Sequence, residues 1–408
     1  MHISLLNDDI LPESQGGAAV VVDRLKRAYE AKGHNVTLIS SHQNAAKGEI
    51  AREEGRVSIL SCYPPVQRHR TCLGTSEMSG RLTQVFEELR PDAVHIHNIH
   101  AHLTYESLRI AKQHTPHTVL TAHDVFLVAF ARLVGSRFEK LMLEGKPVHL
   151  HWWEHFLSTG RKYWPLRNAR IRKMLLQTKV PVVAISNAHK KFLEANGVHV
   201  SSVIYNGTEV HVPVSLKKID AFRSTHGLTG PTVLFGGRLS ADKGSAVLLS
   251  TFEQVLEQCS DAQLLIVGDK RRMEDELRDV SESVRSACVF PGWLSPDVMR
   301  VAYAASTVVT TPSLCFEPFG LMNIEAMAEG TPVIASPFGG APEIINDGET
   351  GFIVNPRDTK LYADAMIQLL SNPKEAARMG EQGRKQVEQH FTVEHQAKQY
   401  LDLLADHV

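Results

Sequence analysis

Two doubly wound parallel sheets, an α/β architecture, are what this 408-residue sequence predicts. Three observations lead there. The chain is longer than one ordinary core supports. Short apolar runs alternate with longer amphipathic ones, the pattern of strand, helix, strand in a parallel sheet. That alternation breaks between residues 207 and 230 and then restarts. The reading is a first domain over 1–212, a second over 213–392, and a last helix over 393–408 that crosses back to the first.

In the first half the strands fall at 3–6, 35–40, 93–97, 118–121, 180–185 and 202–205. A helix covers 20–32, stopped by Gly33-His34. In the second half, strands fall at 232–235, 263–267, around Val289, 308–311 and 333–335. Helices cover 219–226, 245–258 and 296–304, and another starts at Pro318. Residues 126–164 do not fit the alternation and read as an insertion, rich in aromatics at His151-Trp152-Trp153-Glu154-His155. It is either a lid over an acceptor or a small apolar subdomain. Open α/β sheets bind ligands beyond the carboxyl ends of their strands. Two such sheets facing each other would place the site in a central cleft.

Charge excludes some classes. The 44 Lys and Arg residues nearly cancel the 45 Asp and Glu, whereas a general nucleic-acid binder carries a basic excess. The five cysteines are scattered with no C-x-x-C pair, so neither a disulfide framework nor a zinc site is expected. A reducing cytoplasm fits that usage. There is no signal-peptide pattern and no apolar run of membrane-spanning length. Residues 161–173 mix basic and aromatic side chains. They read first as a solvated helix face, and second as a peripheral contact with the inner membrane face.

Four stretches carry chemistry. The first is Glu317-Pro318-Phe319-Gly320-Leu321-Met322-Asn323-Ile324-Glu325. With Pro318 at the first helical position, the amides of Phe319, Gly320 and Leu321 would lack partners and suit a phosphate. Glu317 would reach a polar group beside it, and Glu325 could accept hydrogen bonds from a diol. The second is Gly236-Gly237-Arg238 with Lys243-Gly244. Arg238 and Lys243 at a strand end could neutralise a departing diphosphate. The third is Gly16-Gly17 after the first strand, a second loop for phosphate. It is not G-x-G-x-x-G, and no P-loop or nucleophile elbow occurs, which counts against NAD enzymes, P-loop kinases and serine hydrolases. The fourth is the histidine-rich pair of strand ends, His95-x-His97-Asn98-x-His100-x-His102 and His123-Asp124. No Asp, Glu or Cys completes a close metal set, so acceptor contacts or structural hydrogen bonds are expected and no metal.

In this order the motifs resemble the retaining glycosyltransferases of the GT-B fold, in the large family 4 (group 1), over nearly the whole chain. The resemblance is strongest over 233–354 and includes Val267-Gly268-Asp269, Phe290-Pro291-Gly292-Trp293-Leu294, the two glutamates Glu317 and Glu325, and Ser336-Pro337-Phe338-Gly339-Gly340-Ala341-Pro342-Glu343. It implies catalytic roles for Arg238, Lys243, Glu317 and His123. It implies donor contacts from Gly16, Gly17, Gly237, Gly268, Leu294, Phe319, Gly320, Leu321 and Glu325. Acceptor contacts would come from Asp124, His97 and Asn98. The segment Ile204-Tyr205-Asn206-Gly207-Thr208 departs from the family's usual proline-asparagine-glycine-valine, and the insertion after Asp124 is not a general family feature.

The implied activity is transfer of a sugar, with retention, from a UDP- or GDP-sugar to an acceptor hydroxyl on a sugar, glycolipid or small molecule. It would serve bacterial glycan, glycolipid or secondary-metabolite synthesis. It needs no cofactor beyond the nucleotide sugar, because the fixed cations would replace a divalent ion. A nucleotide-sugar epimerase and a non-catalytic nucleotide-sugar binding protein are the alternatives.

Overall fold

The computed structural model describes residues 1–405 except 13, 15, 62–67, 238–239, 270–275 and 279, and omits the side chain of Arg161. The chain forms two compact units. One contains Met1–Leu133, Pro147–Gly207 and Val393–Val408; the other contains Val134–Lys146 and Thr208–Thr392. Residues 134–146, expected with the first domain, therefore belong to the second unit.

The first unit is built on strands β1 (His2–Leu6), β2 (Asn35–His42), β3 (Ile50–Glu53), β4 (Arg56–Leu60), β5 (Ala93–Ile96), β6 (Thr118–Ala122), β7 (Val182–Ala184) and β8 (Ser202–Val203). Their order in the sheet is β3-β4-β2-β1-β5-β6-β7-β8. All neighbours are parallel except β3 with β4. The antiparallel β3 differs from the purely parallel sheet expected. It is short and carries Arg52 and Glu53 on the edge, the kind of charged margin that discourages pairing with another chain. Helices cover both faces, so the central strands are buried on both sides. Ile3, Leu5, Leu6, Val94, Ile96 and Val119 have no exposed surface. The C-terminal helix Val393–Ala405 packs within this unit; Tyr400 accepts from Thr121 Oγ1 (2.9 Å), and His117 Nδ1 meets the Leu404 carbonyl (2.7 Å).

The second unit contains β9 (Thr232–Gly236), β10 (Gln263–Val267), β11 (Cys288–Gly292), β12 (Val308–Thr311), β13 (Val333–Ala335) and β14 (Gly351–Ile353). Their order is β11-β10-β9-β12-β13-β14, all parallel. Counted from β9, that is the doubly wound Rossmann order 3-2-1-4-5-6. The direction of winding reverses between β9 and β12, and the first unit has the same reversal between β1 and β5. Ligand-binding loops belong at those two places. The core of this unit joins Val233, Phe235, Leu264, Ile266 and Val308 of the sheet to Leu248, Phe252 and Val255 of helix Ser245–Gln258.

The insertion contributes to both units. Helix Ser136–Leu143 is part of the second. Its Phe138 packs edge-on against Phe316 and tilted against Phe338, and its Glu139 takes two hydrogen bonds from Arg357 (2.9 and 3.1 Å). Helix Trp152–Thr159 is in the first unit and leaves Trp152, Phe156 and Leu157 exposed.

Helix Leu166–Thr178 corrects the expectation of a wholly solvated basic face. Arg167 is buried, donates to the Phe126 carbonyl and to Asn168 Oδ1 (2.9 Å), and lies over the Phe130 ring at 4.9 Å. One side chain thereby pins the start of the insertion. Arg167→Ala removes these contacts and opens a cavity. It is expected to cost this unit about 2–4 kcal/mol, seen as a lower urea midpoint for its unfolding.

Candidate functional site

In the second unit the reversal point brings two loops together. After β9, the turn Ala241–Lys243 is held against the loop after β12, with the Leu314 amide on the Asp242 carbonyl at 2.9 Å. The fit is backbone to backbone. A Cβ on Gly244, which has φ +78°, would come within 2.0 Å of the Pro312 carbonyl oxygen, so only glycine allows this approach. Lys243 Nζ consequently forms an ion pair with Glu317 Oε2, across 74 residues of sequence. Each side chain keeps roughly a quarter to a third of its surface exposed.

Glu317 is fixed from the other side as well. Its amide donates to the Phe338 carbonyl (2.8 Å), and its own carbonyl accepts from Gly340 (2.9 Å). A Cβ on Gly339 would lie 1.9 Å from that carbonyl oxygen. This anchoring corrects the expected helix start. Residues 317–319 are tied to the loop after β13, and Gly320 turns the chain at φ +94°. The helix is Leu321–Ala328, with Gly320 as its N-cap. The unpartnered amides at its start therefore begin at Leu321, not Phe319. The Phe319 side chain is buried beside Phe391, so only its backbone could face a ligand. Glu325, the fifth residue of the helix, accepts from Tyr303 Oη at 3.0 Å. Tyr303 was not among the sequence candidates, because one tyrosine in an amphipathic helix carries no local signal.

Gly237 and Gly268 lie together. A Cβ on Gly268 would be 2.5 Å from the Gly237 carbonyl oxygen, and the Gly237 amide donates to the Val267 carbonyl (3.0 Å). Leu294 is half-buried just past β11, next to the exposed Trp293. Arg238 lies outside the described residues.

In the first unit the loops after β1, β5 and β6 gather around buried polar groups. Gly16 and Gly17 are exposed, as N-cap and first residue of helix Gly17–Ala31. Asp8, missed in the sequence, accepts from the amides of Ala101, His102 and Leu103 (2.7, 3.0 and 2.7 Å) and so shapes the loop after β5. Asp124 accepts from Asn98 Nδ2 (3.0 Å) and the Phe126 amide (2.8 Å) and lies 3.2 Å from His100 Nε2. Burial opposes its ionisation, but His100 and the Phe126 amide hold its carboxyl down at about 2. Asp124 and Asn98 are thus bonded to each other.

His123 sits at the end of β6 with 9 % of its surface exposed. Burial pushes its imidazole down to about 4, with Asp124 opposing, so the ring is neutral at pH 7. His97 has no exposed surface and cannot touch an acceptor as expected. The sheet is covered on both faces, and the ring lies behind His123, 2.7 Å from Nδ1 to Nε2. His95 and His97 do share a face, with ring centres 4.0 Å apart. His95 is spent on Tyr29 Oη (3.1 Å) and Thr121 Oγ1 (2.8 Å). Among the described residues no three His, Cys, Asp or Glu side chains gather as a metal site.

The fold is that of the glycosyltransferases of GT-B type. The family model for glycosyl transferases group 1 matches residues 217–386, and that for glycosyltransferase family 4 matches residues 15–212. The chain belongs to this family. It is 30% identical over 261 residues to a GDP-mannose-dependent monoacylated alpha-(1-6)-phosphatidylinositol monomannoside mannosyltransferase of Corynebacterium glutamicum, covering 61% of this chain and 68% of that one. It is 32% identical to spore coat protein SA of Bacillus subtilis over 42% of this chain and 48% of that protein. The chain spans about half the length of several curated relatives it matches. Among solved structures, sucrose-phosphate synthase from Thermosynechococcus elongatus superposes with a TM-score of 0.76 at 22% identity, covering 99% of this chain and 98% of that one. Anabaena HepE in complex with UDP-glucose superposes with a TM-score of 0.70 at 20% identity, over the full length of both chains. Among the described residues, no helix is long and apolar enough to cross a membrane.

Proposed function

We propose that this chain transfers a sugar from a UDP- or GDP-sugar to an acceptor hydroxyl with retention of anomeric configuration and without a divalent metal. One observation carries the reading. At the winding reversal of the second unit, a lysine and a glutamate from separate loops are held in contact, with Glu325 further along the helix that follows. A diphosphate bound there would meet the Lys243 cation and the amides opening helix Leu321–Ala328. Both stabilise negative charge that grows as the sugar–phosphate bond breaks, so they favour the transition state over the ground state. Glu325, held by Tyr303, offers its carboxylate to a ribose diol. His123 offers a neutral ring nitrogen to a sugar hydroxyl.

The acceptor attacks on the face that the leaving group vacates, and the departing diphosphate takes its proton. The GDP-mannose dependence of the Corynebacterium relative and the UDP-glucose bound in Anabaena HepE support a nucleoside diphosphate sugar as donor. A cytoplasmic setting fits the cysteine usage. The exposed Trp152, Phe156 and Leu157 would suit peripheral contact with the inner membrane face.

A thermal-shift panel of nucleoside diphosphates and their sugars, run with and without EDTA, tests the reading. The true donor at about a hundred times its Kd adds roughly 2.7 kcal/mol of stability, and EDTA leaves both shift and turnover unchanged. Turnover abolished by EDTA and restored by Mg²⁺ would overturn metal independence. A product sugar isomer formed with no acceptor present would replace transfer by epimerisation.

A further inference from the structure

The contact between His97 and His123 has a direction that the surrounding burial decides. Their Nδ1 and Nε2 atoms are 2.7 Å apart, and the rings stack at 5.0 Å with 23° between planes. Burial drives both imidazoles toward the neutral form. A short contact between two neutral rings holds one proton, so one nitrogen donates and the other accepts.

Two assignments exist. If His123 donates from Nε2, His97 must carry its own proton on Nε2. That atom is buried and has no hydrogen-bond partner among the described residues, so an N–H would be orphaned there. If His97 donates from Nδ1, its Nε2 is only a lone pair. Buried orphan N–H groups are rarer and costlier than under-used acceptors. The second assignment therefore prevails. It leaves His123 protonated on Nδ1, the nitrogen with no partner among the described residues, on the one ring of the pair that reaches the surface.

We propose that His97 is a positioning residue: its Nδ1–H locks His123 as the Nδ1–H tautomer, so that His123 presents a fixed hydrogen-bond donor at the strand ends of the first unit. The free imidazole in water prefers the Nε2–H form, so the lock is measurable. That the donor serves a sugar hydroxyl rests on the function proposed above; the tautomer itself does not.

The test is long-range ¹H–¹⁵N correlation spectroscopy of the ¹⁵N-histidine-labelled full chain, with the His123 signals identified by their loss in His123→Gln. The expected pattern is a protonated Nδ1 and a bare Nε2. In His97→Phe the pattern reverts to Nε2–H. In His97→Gln, whose side-chain amide can still donate, Nδ1–H is kept. The Gln variant also covers the case in which the Phe variant fails to fold. A wild-type His123 protonated on Nε2 would overturn the proposal, as would a His97→Phe variant that keeps Nδ1–H.

A second arm reads function. His97→Phe is expected to lower kcat/KM about tenfold, with the Kd for free nucleoside diphosphate unchanged and with His97→Gln largely restoring the rate. If the chain transfers no sugar from any donor, the function falls while the spectroscopic result stands. If it transfers sugar but His123 carries its proton on Nε2, only the role of His97 falls.

Discussion

Lys243→Met is expected to lower kcat by about 10²–10³-fold, the loss that follows removal of one preorganised charge from a leaving group, roughly 3–4 kcal/mol in the barrier. The reasoning begins with Gly244, whose missing Cβ lets the turn after β9 lie on the Pro312 carbonyl. That contact aims Lys243 at the loop after β12, where it meets Glu317. Without a ligand the two charges satisfy each other. A bound diphosphate brings more negative charge than one carboxylate, so the ammonium is drawn to it. Glu317→Gln separates the two roles of Lys243. It removes the competing carboxylate and is expected to leave affinity for nucleoside diphosphate equal or tighter while turnover falls. Lys243→Met should weaken the same affinity. Calorimetric titration of nucleoside diphosphate with both variants, beside steady-state rates, distinguishes them. A Lys243→Met enzyme with unchanged kcat and unchanged affinity would show that the ion pair only braces the loops.

Acidification from pH 7 to pH 5 is expected to loosen the first unit. Burial holds His123 and His189 at about 4, against an ordinary 6.5, and lowers His95 and His97 as well. Between those values the folded state binds fewer protons than the unfolded one. The stability these neutral rings contribute is therefore complete above about pH 6.5 and is lost as the pH falls toward 4. At pH 5, His123 and His189 each cost about 2 kcal/mol. Together that loss of about 4 kcal/mol is a large share of an ordinary domain's stability of about 5–15 kcal/mol, and the lowered His95 and His97 act in the same direction. Asp124, held at about 2, keeps its charge throughout this window. Hydrogen exchange at pH 7 and pH 5, normalised for intrinsic rate, should show β5 and β6 losing protection. Equal protection at both pH values would contradict the burial of these rings as neutral groups.

What could be read from the amino-acid order depended on range. Strands β9, β10, β12 and β13 were legible because each is a short apolar run closed by Gly, Pro or a polar turn. Helix Ser245–Gln258 was legible from its period. The strand-end positions of Lys243, Glu317 and His123 followed from the same alternation. The helix after Pro318 was misplaced by three residues, since a proline at a helix start is a local preference and the anchoring of Glu317 to Phe338 and Gly340 is not local. The β3–β4 hairpin escaped notice because its Arg52-Glu53-Glu54-Gly55 turn region is polar and its strands are short. Burial of Arg167 was equally hidden. In a run of basic residues nothing marks the one whose neighbours in space are Phe126 and Phe130. Pairings such as Lys243 with Glu317, Tyr303 with Glu325 and His97 with His123 are facts of topology, and no spacing rule encodes them.

The seat that Phe138 fills has a consequence for how this molecule can be taken apart. Residues 134–146 reach the second unit from the middle of the first unit's sequence. A chimera cut only at 207/208 would give the incoming second unit no partner for Arg357 and an open apolar notch beside Phe316 and Phe338. Exchange of specificity between relatives by recombination thus requires two coordinated transplants, not a single crossover.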